Sequence, residues 1–181
     1  MKILDRLHLE TKNASGKQMD VNKLSKLSVE DIWAHHIACH ASVTSKVFEG
    51  LQKVDRVCQV CQNLQRKHEV FSILSFSLGD NETQFEKIMS RNFQPELLKD
   101  DCMVECEACK KKTVSVKRTR IVHVPDVMIM TLKRFEFDAK LMDMRKIDRE
   151  ISYKDTGFGL PLEVSEARAH LELFAVIVSS K

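Results

Sequence analysis

Ile3, Leu4 and Leu7 recur at intervals of three and four, the spacing that lines one side of an α-helix with apolar groups. No capping residue precedes Met1, so the pattern reads as a chain that starts inside an element. Residues from Thr11 to Lys26 are polar, rich in Lys, Asn and Ser, and contain Gly16; they read as a solvated connector. Ser28, with Asp31 three positions later, is placed to cap a second helix whose buried stripe is Val29, Ile32, Trp33, His36 and Ile37. From Val43 the texture reads as β. Val70 to Leu78 alternates in part, with Leu74, Phe76 and Leu78 set against Ser75 and Ser77, as in a half-buried strand. Glu82 to Arg91 reads as a short helix with Phe85, Ile88 and Met89 inward; Pro95 then breaks the chain before the apolar pair Leu97 and Leu98.

Val114 to Val124 alternates over a long stretch, with valines at both ends and Arg118 and Arg120 between them on one face. A strand with so polar a middle is expected to project from the core. Val127 to Leu132 is continuously apolar, which predicts a central strand covered on both sides. Phe135 and Phe137 alternate with Arg134 and Glu136; Asp138 to Asp148 reads as a charged loop, and Leu171 to Val178 as a last strand. Helices first and antiparallel strands after them give an α+β class, with no internal repeat.

Composition narrows the function. The 181 residues are 43% hydrophobic and 30% charged, which suits a folded domain rather than a disordered one. A net charge of +3 does not by itself argue for nucleic acid, and the basic clusters Lys110 to Lys112 and Lys117 to Arg120 have no interleaved aromatics for base stacking. The apolar runs are strand-sized, so no membrane span is expected. Asp5, Arg6 and Glu10 interrupt any secretory signal, and the expected location is cytoplasmic or nuclear.

That compartment favours metal ligation over disulfides for the cysteines. Cys58 and Cys61 form one C-x-x-C pair, Cys106 and Cys109 another, separated by residues 62–105. Two such turns, each aiming two thiolates at one ion, complete a tetrahedral site. A redox C-x-x-C is the competing reading, but that motif usually occurs once, in a βαβ context. The gap exceeds that of a compact zinc finger, so the pairs are expected at the ends of separate hairpins. Arg56 and Lys110 to Lys112 flank them with positive charge, which favours thiolates. Cys102 is a spare outside a filled site. Cys39 reads as a small buried apolar residue rather than a nucleophile. His35, His36 and His40 lack a carboxylate or cysteine array at ligand spacing, so they are assigned to packing and solvent exposure.

Several segments together resemble the ubiquitin-specific protease family. They are Phe48-x-Gly50, Cys58-x-x-Cys61, Phe71-Ser72-Ile73-Leu74, Phe93-x-Pro95-Glu96-x-Leu98 and Cys106-Glu107-Ala108-Cys109. The most specific is Ile121-x-x-Val124-Pro125-x-Val127-Met128-Ile129-x-x-Leu132-Lys133-Arg134-Phe135, a proline before an apolar strand ending in Leu-Lys-Arg-Phe. Lys146-Ile147-Asp148 and Leu173 to Val178 come after it in the family's order.

The resemblance implies a partial right-hand, papain-like fold: residues 1–50 a thumb remnant and lead-in, 51–120 zinc-binding fingers, 121–181 palm strands. It implies one structural Zn2+ on Cys58, Cys61, Cys106 and Cys109, and ubiquitin or a ubiquitinated protein as partner. Phe135 and Phe137 align with aromatics bordering the channel for ubiquitin's tail; core packing is the alternative role for them. The family's Asn-x-x-x-Cys box and Gly-His-Tyr motif do not occur in these residues. No catalytic residue is therefore assigned. The expectation is a fragment or truncated form of a deubiquitinating thiol protease, inactive alone, or else a catalytically dead ubiquitin-binding or zinc-stabilised scaffold. Exposed palm surface would favour self-association.

Overall fold

The computed structural model describes residues 2–12, 27–138, 142–154, 158–159 and 170–177. Most of the polar connector lies outside them. Helix α1 (Lys2–Thr11) is followed by α2 (Val29–His40), which starts where expected: the Ser28 hydroxyl accepts the Asp31 N–H at 3.1 Å. The residues from Val43 correct the β expectation, because Val43–Phe48 form a third helix, α3. The backbone N–H of Ser45 donates to the Ser42 hydroxyl at 2.9 Å, and that of Ser42 to the Ser45 hydroxyl at 2.8 Å. This reciprocal cap satisfies two orphan donors and outweighs the strand preference of Val43, Thr44 and Val47. Helix α1 is tied to this cap by His8 Nδ1 and the Ser42 hydroxyl, 2.8 Å apart.

The chain then turns at Gly50 into β1 (Gly50–Cys58), which pairs antiparallel with β2 (Leu64–Phe71). A Cβ at Gly50 would lie 2.5 Å from the Phe71 ring and 2.8 Å from the His123 carbonyl, so only glycine permits this approach. Strand β3 (Ile73–Ser77) leads to α4 (Phe85–Asn92). Strand β4 (Glu96–Leu98) comes next, then a small ribbon of β5 (Val104–Cys106) and β6 (Lys111–Thr113), and then β7 (Ser115–His123). The sheet order is β2-β1-β7-β4, all antiparallel. The middle of β7 is partly to fully exposed while Ser115, Ile121 and Val122 near its ends are buried, as its polar centre requires.

Two apolar clusters anchor this sheet at its base. On one side Ile32 of α2 packs on Leu51 and Val122, flanked by Trp33, whose ring stacks on His123 at 3.9 Å. On the other, Phe71, Leu74, Phe76, Ile88, Met89 and Ile121 form the larger core. Phe76 meets Phe85 and Phe93 edge-on there, with centroids 6.0 and 5.9 Å away.

Three further expectations need correction. Val127 to Leu132 is not a central strand covered on both sides. Instead β8 (Ile129–Lys133) pairs in parallel with β3, and its residues are half-buried or exposed. Asp138 to Asp148 is not simply a loop: β9 (Phe135–Asp138) and β10 (Asp143–Lys146) form a hairpin, in which Arg145 donates to Glu136 at 2.9 Å. Of the expected last strand only Leu171 is regular, paired within β11 (Phe158–Gly159) and β12 (His170–Leu171). Residues 172–177 have no regular structure, and Val178 lies outside the described residues.

Candidate functional site

The two C-x-x-C turns are built alike. Cys58 ends β1, and Gln62 takes a left-handed φ of 60° while its N–H donates to the Cys58 carbonyl at 3.0 Å. Cys106 ends β5, Lys110 has φ 54°, and its N–H donates to the Cys106 carbonyl at 2.8 Å. Each turn thus folds its second cysteine back toward the first. The Gln59 N–H donates to the Val114 carbonyl at 2.9 Å and so joins one turn to the other hairpin.

The sulfurs of Cys58, Cys61, Cys106 and Cys109 all lie within 4.8 Å of one another. Cys61 and Cys106 are 3.6 Å apart, Cys58 and Cys109 4.0 Å. Four thiolates at about 2.3 Å from a tetrahedral centre would be spaced by roughly 3.8 Å, so the donor set fits a zinc-sized ion. The Thr113 hydroxyl, 3.3 Å from Cys58, and a backbone N–H at Cys61 hold the Cys58 thiol down to about 6. Cys109 is pushed up to about 12 by its hydrogen bond with Cys61 and by burial. Cys58 and Cys109 are therefore unequal without a metal, and binding one would release protons. Buried Thr113 carries no signal in sequence; it is found only because β6 returns past Cys58.

Cys102 lies in the 3-10 turn Asp100–Cys102, exposed and outside this set. Cys39 is buried, as its small apolar character predicts. Its sulfur lies 3.6 Å from His35 Nε2, one turn back on the same helix, whereas the adjacent His40 stacks on His36 at 5.0 Å. His36 Nε2 in turn sits 2.6 Å from a Glu49 carboxylate oxygen. Cys39 is only 7% exposed as a residue, which leaves an incoming peptide carbonyl little access to it.

Phe135 and Phe137 are 61% and 59% exposed, which overturns core packing as their role. The hairpin bearing them is fixed from below. The Arg134 guanidinium donates to the carbonyls of Ile147 and Arg149 at 3.2 and 2.6 Å, and that of Arg149 to Gly79 and Glu82 at 2.8 and 3.1 Å. The Arg91 guanidinium lowers the pKa of the Glu82 carboxylate by donating to it at 2.8 Å. Sequence reading missed this latch, since arginines that bind carbonyls leave no periodicity. A polar groove of about 580 Å³ opens between the finger-like sheet and the β3–β8 pair, lined among others by Gln52, Ser75, Ser77, Thr119 and Lys133.

A helix-plus-antiparallel-sheet body with a four-cysteine ribbon at the tip of a projecting sheet defines the class, and comparison with known proteins supplies the family. The family model for ubiquitin carboxyl-terminal hydrolase matches residues 1–180, and the chain belongs to that family. It is 30% identical over 112 residues to ubiquitin carboxyl-terminal hydrolase 24 of Homo sapiens, covering 61% of this chain and 4% of that protein. Over 154 residues it is 29% identical to ubiquitin carboxyl-terminal hydrolase 4 of Eremothecium gossypii, covering 74% and 17%. The chain thus spans a small part of the length of these relatives. Among solved structures, one of the yeast SAGA DUB module with a mutant Sgf73 superposes with a TM-score of 0.64 at 21% identity, over 90% of this chain and 34% of that one. The SAGA Ubp8/Sgf11/Sus1/Sgf73 DUB module bound to ubiquitin aldehyde gives 0.57 at 23%, over 82% and 34%. The α+β right-hand protease fold read from sequence is the fold of these neighbours.

Proposed function

We propose that this chain supplies the fingers and palm with which a deubiquitinating thiol protease holds ubiquitin while the isopeptide bond at ubiquitin's C-terminus is cut. The reading assigns 1–50 to the thumb and lead-in, 51–120 to the fingers and 121–181 to the palm. The observation that carries it is the four-sulfur cluster tying two hairpin ends at the tip of a projecting sheet, within a chain of this family. Zn2+ is the ion proposed there; its role is to fix the hairpin ends. The exposed rings of Phe135 and Phe137, held in place by the Arg134 latch, are assigned to the channel for ubiquitin's tail. A deubiquitinase bound to ubiquitin aldehyde among the fold neighbours supports ubiquitin as the ligand. The proposed location is cytoplasmic or nuclear, and the exposed palm surface is proposed to mediate self-association.

The chain itself is assigned no catalytic residue, because Cys39 is buried and faces His35 rather than an open cleft. A scaffold that carries zinc but holds no ubiquitin is the second reading, favoured by the same inaccessible thiol. Ubiquitin titrated into 15N-labelled protein, alongside hydrolysis of a ubiquitin C-terminal fluorogenic amide, separates them. Saturable shifts that Phe135→Ala and Phe137→Ala weaken, with no turnover, support the fingers-and-palm reading. Absence of shifts at millimolar ubiquitin refutes it in favour of the scaffold, and turnover abolished by Cys39→Ala refutes the absence of a catalytic group.

A further inference from the structure

The Cys58–Cys61 and Cys106–Cys109 turns belong to different hairpins, and one side chain crosses from the second to the first. Thr113 ends β6, opposite Val104 in the β5–β6 ladder. Its hydroxyl oxygen lies 3.3 Å from the sulfur of Cys58, at the end of β1. Both residues are buried, at 3% exposure each. The backbone N–H of Val60, within the first turn, donates to the same sulfur at 3.4 Å. The next carbonyl along the chain, that of Val114, accepts the Gln59 N–H at 2.9 Å. Two successive residues of one hairpin therefore grip the metal-binding turn of the other, Thr113 by its side chain and Val114 by its backbone. The neighbouring buried hydroxyl, that of Ser115, is spent elsewhere: it donates to the Thr113 carbonyl at 3.5 Å.

We propose that Thr113 is a positioning residue of the four-cysteine site, whose hydroxyl donates to the Cys58 sulfur and so sets how tightly the fingers retain their ion. The proposal rests on the assignment of Zn2+ to that site. A cysteine that ligates a metal has lost its proton, so its sulfur only accepts and the Thr113 hydroxyl is the donor. Four thiolates more than neutralise a divalent ion, and buried excess charge needs hydrogen-bond donors. A bond from a hydroxyl to an ionised sulfur is stronger than one between neutral groups. It also reaches Cys58 from the hairpin that carries Cys106 and Cys109, which fixes one ligand of the first pair relative to the second pair. Removing such an outer partner of a ligand costs metal affinity even when every ligand remains.

Transfer of Zn2+ from the full loaded chain to a chromophoric chelator tests this. Thr113→Val, which keeps the shape and removes the donor, should weaken zinc affinity by about 10–100-fold, and Thr113→Ala by as much. Thr113→Ser, which keeps a hydroxyl, should stay within about threefold of wild type, and Ser115→Ala within about twofold. With Co2+ in the site, the sulfur-to-metal charge-transfer absorption should move to longer wavelength in Thr113→Val and return in Thr113→Ser, because a hydrogen bond lowers the energy of the sulfur lone pair. Hydrogen exchange around Phe76 and Ile88 establishes that each variant keeps the palm folded. A wild-type chain that takes up neither Zn2+ nor Co2+ would refute the metal assignment and this proposal with it. A loaded wild type beside a Thr113→Val that retains zinc equally, or loss in Thr113→Ala without loss in Thr113→Val, would overturn the role of Thr113 alone and leave the metal assignment standing.

Discussion

Removing the metal from the four-cysteine site should unfold the ribbon and spare the palm. Residues 104–113 hold only two buried side chains, Cys106 and Thr113, and the β5–β6 ladder has three residue pairs, from Val104↔Thr113 to Cys106↔Lys111. Ordering that backbone costs roughly 15 kcal/mol at about 1.5 per residue. Its few hydrogen bonds return about 4 kcal/mol at about 1 each. A shortfall of roughly 11 kcal/mol is within reach of the Zn2+ proposed for this site, since structural zinc contributes about 10–16 kcal/mol in finger peptides. Hydrogen exchange read by mass spectrometry, before and after chelation, checks this segment by segment. Protection in 104–113 should vanish on chelation and in Cys106→Ser, but persist in Cys102→Ser. Protection around Phe76 and Ile88 should remain in all three. If 104–113 stays protected without metal, packing rather than ligation holds the ribbon and the reasoning fails.

Stability should fall as pH drops below about 6.5. His40 is held below its ordinary value by burial and then by the charges of His36, Lys12 and His8, and His123 by burial, against a weaker pull from Asp126. The unfolded chain then binds protons first, so the contribution is full above about 6.5 and is lost as pH falls toward the depressed folded values. Urea midpoints at pH 7.5 and 5.5 measure it. Gln62→Gly should raise stability by up to about 1 kcal/mol, since Gln62 holds φ 60° without glycine's freedom, provided the metal content is unchanged. Ile88→Ala, at a fully buried site between α4 and β3, should cost about 2–5 kcal/mol in chemical denaturation.

What was legible in the sequence depended on how local its cause is. Ser28 and the two C-x-x-C pairs act through neighbours within four residues, and the structure shows the Ser28 cap in place and gathers the four sulfurs. The strand-to-helix error at Val43 came from weighing β-branched propensity without the Ser42–Ser45 reciprocity. Val127 to Leu132 looked central because apolar runs mark strands buried on both faces, yet the described partner of β8 is β3 alone. Sequence also left Phe135 and Phe137 open between core and surface, because alternation shows that two rings share a face but not which way that face looks. The Arg134–Arg149 latch and Thr113 depend on chain segments tens of residues away, and no periodicity encodes them.

The two cysteine pairs sit on separate excursions of the chain, with β3 and α4 laid down between them. During synthesis the first half-site therefore emerges alone. At roughly 5–20 residues per second, residues 62–105 take roughly 2–9 s to emerge, and until then two thiolates have no intramolecular complement. Neighbouring nascent chains on one messenger each present the same vacancy, and an ion captured by Cys58 and Cys61 of one can be completed by Cys106 and Cys109 of another. Such a clasp would fill that ion's four ligand positions and still misassemble both molecules. The order of synthesis thus makes closure of the proposed zinc site on its own chain a step that must wait for residue 109, whatever the supply of metal.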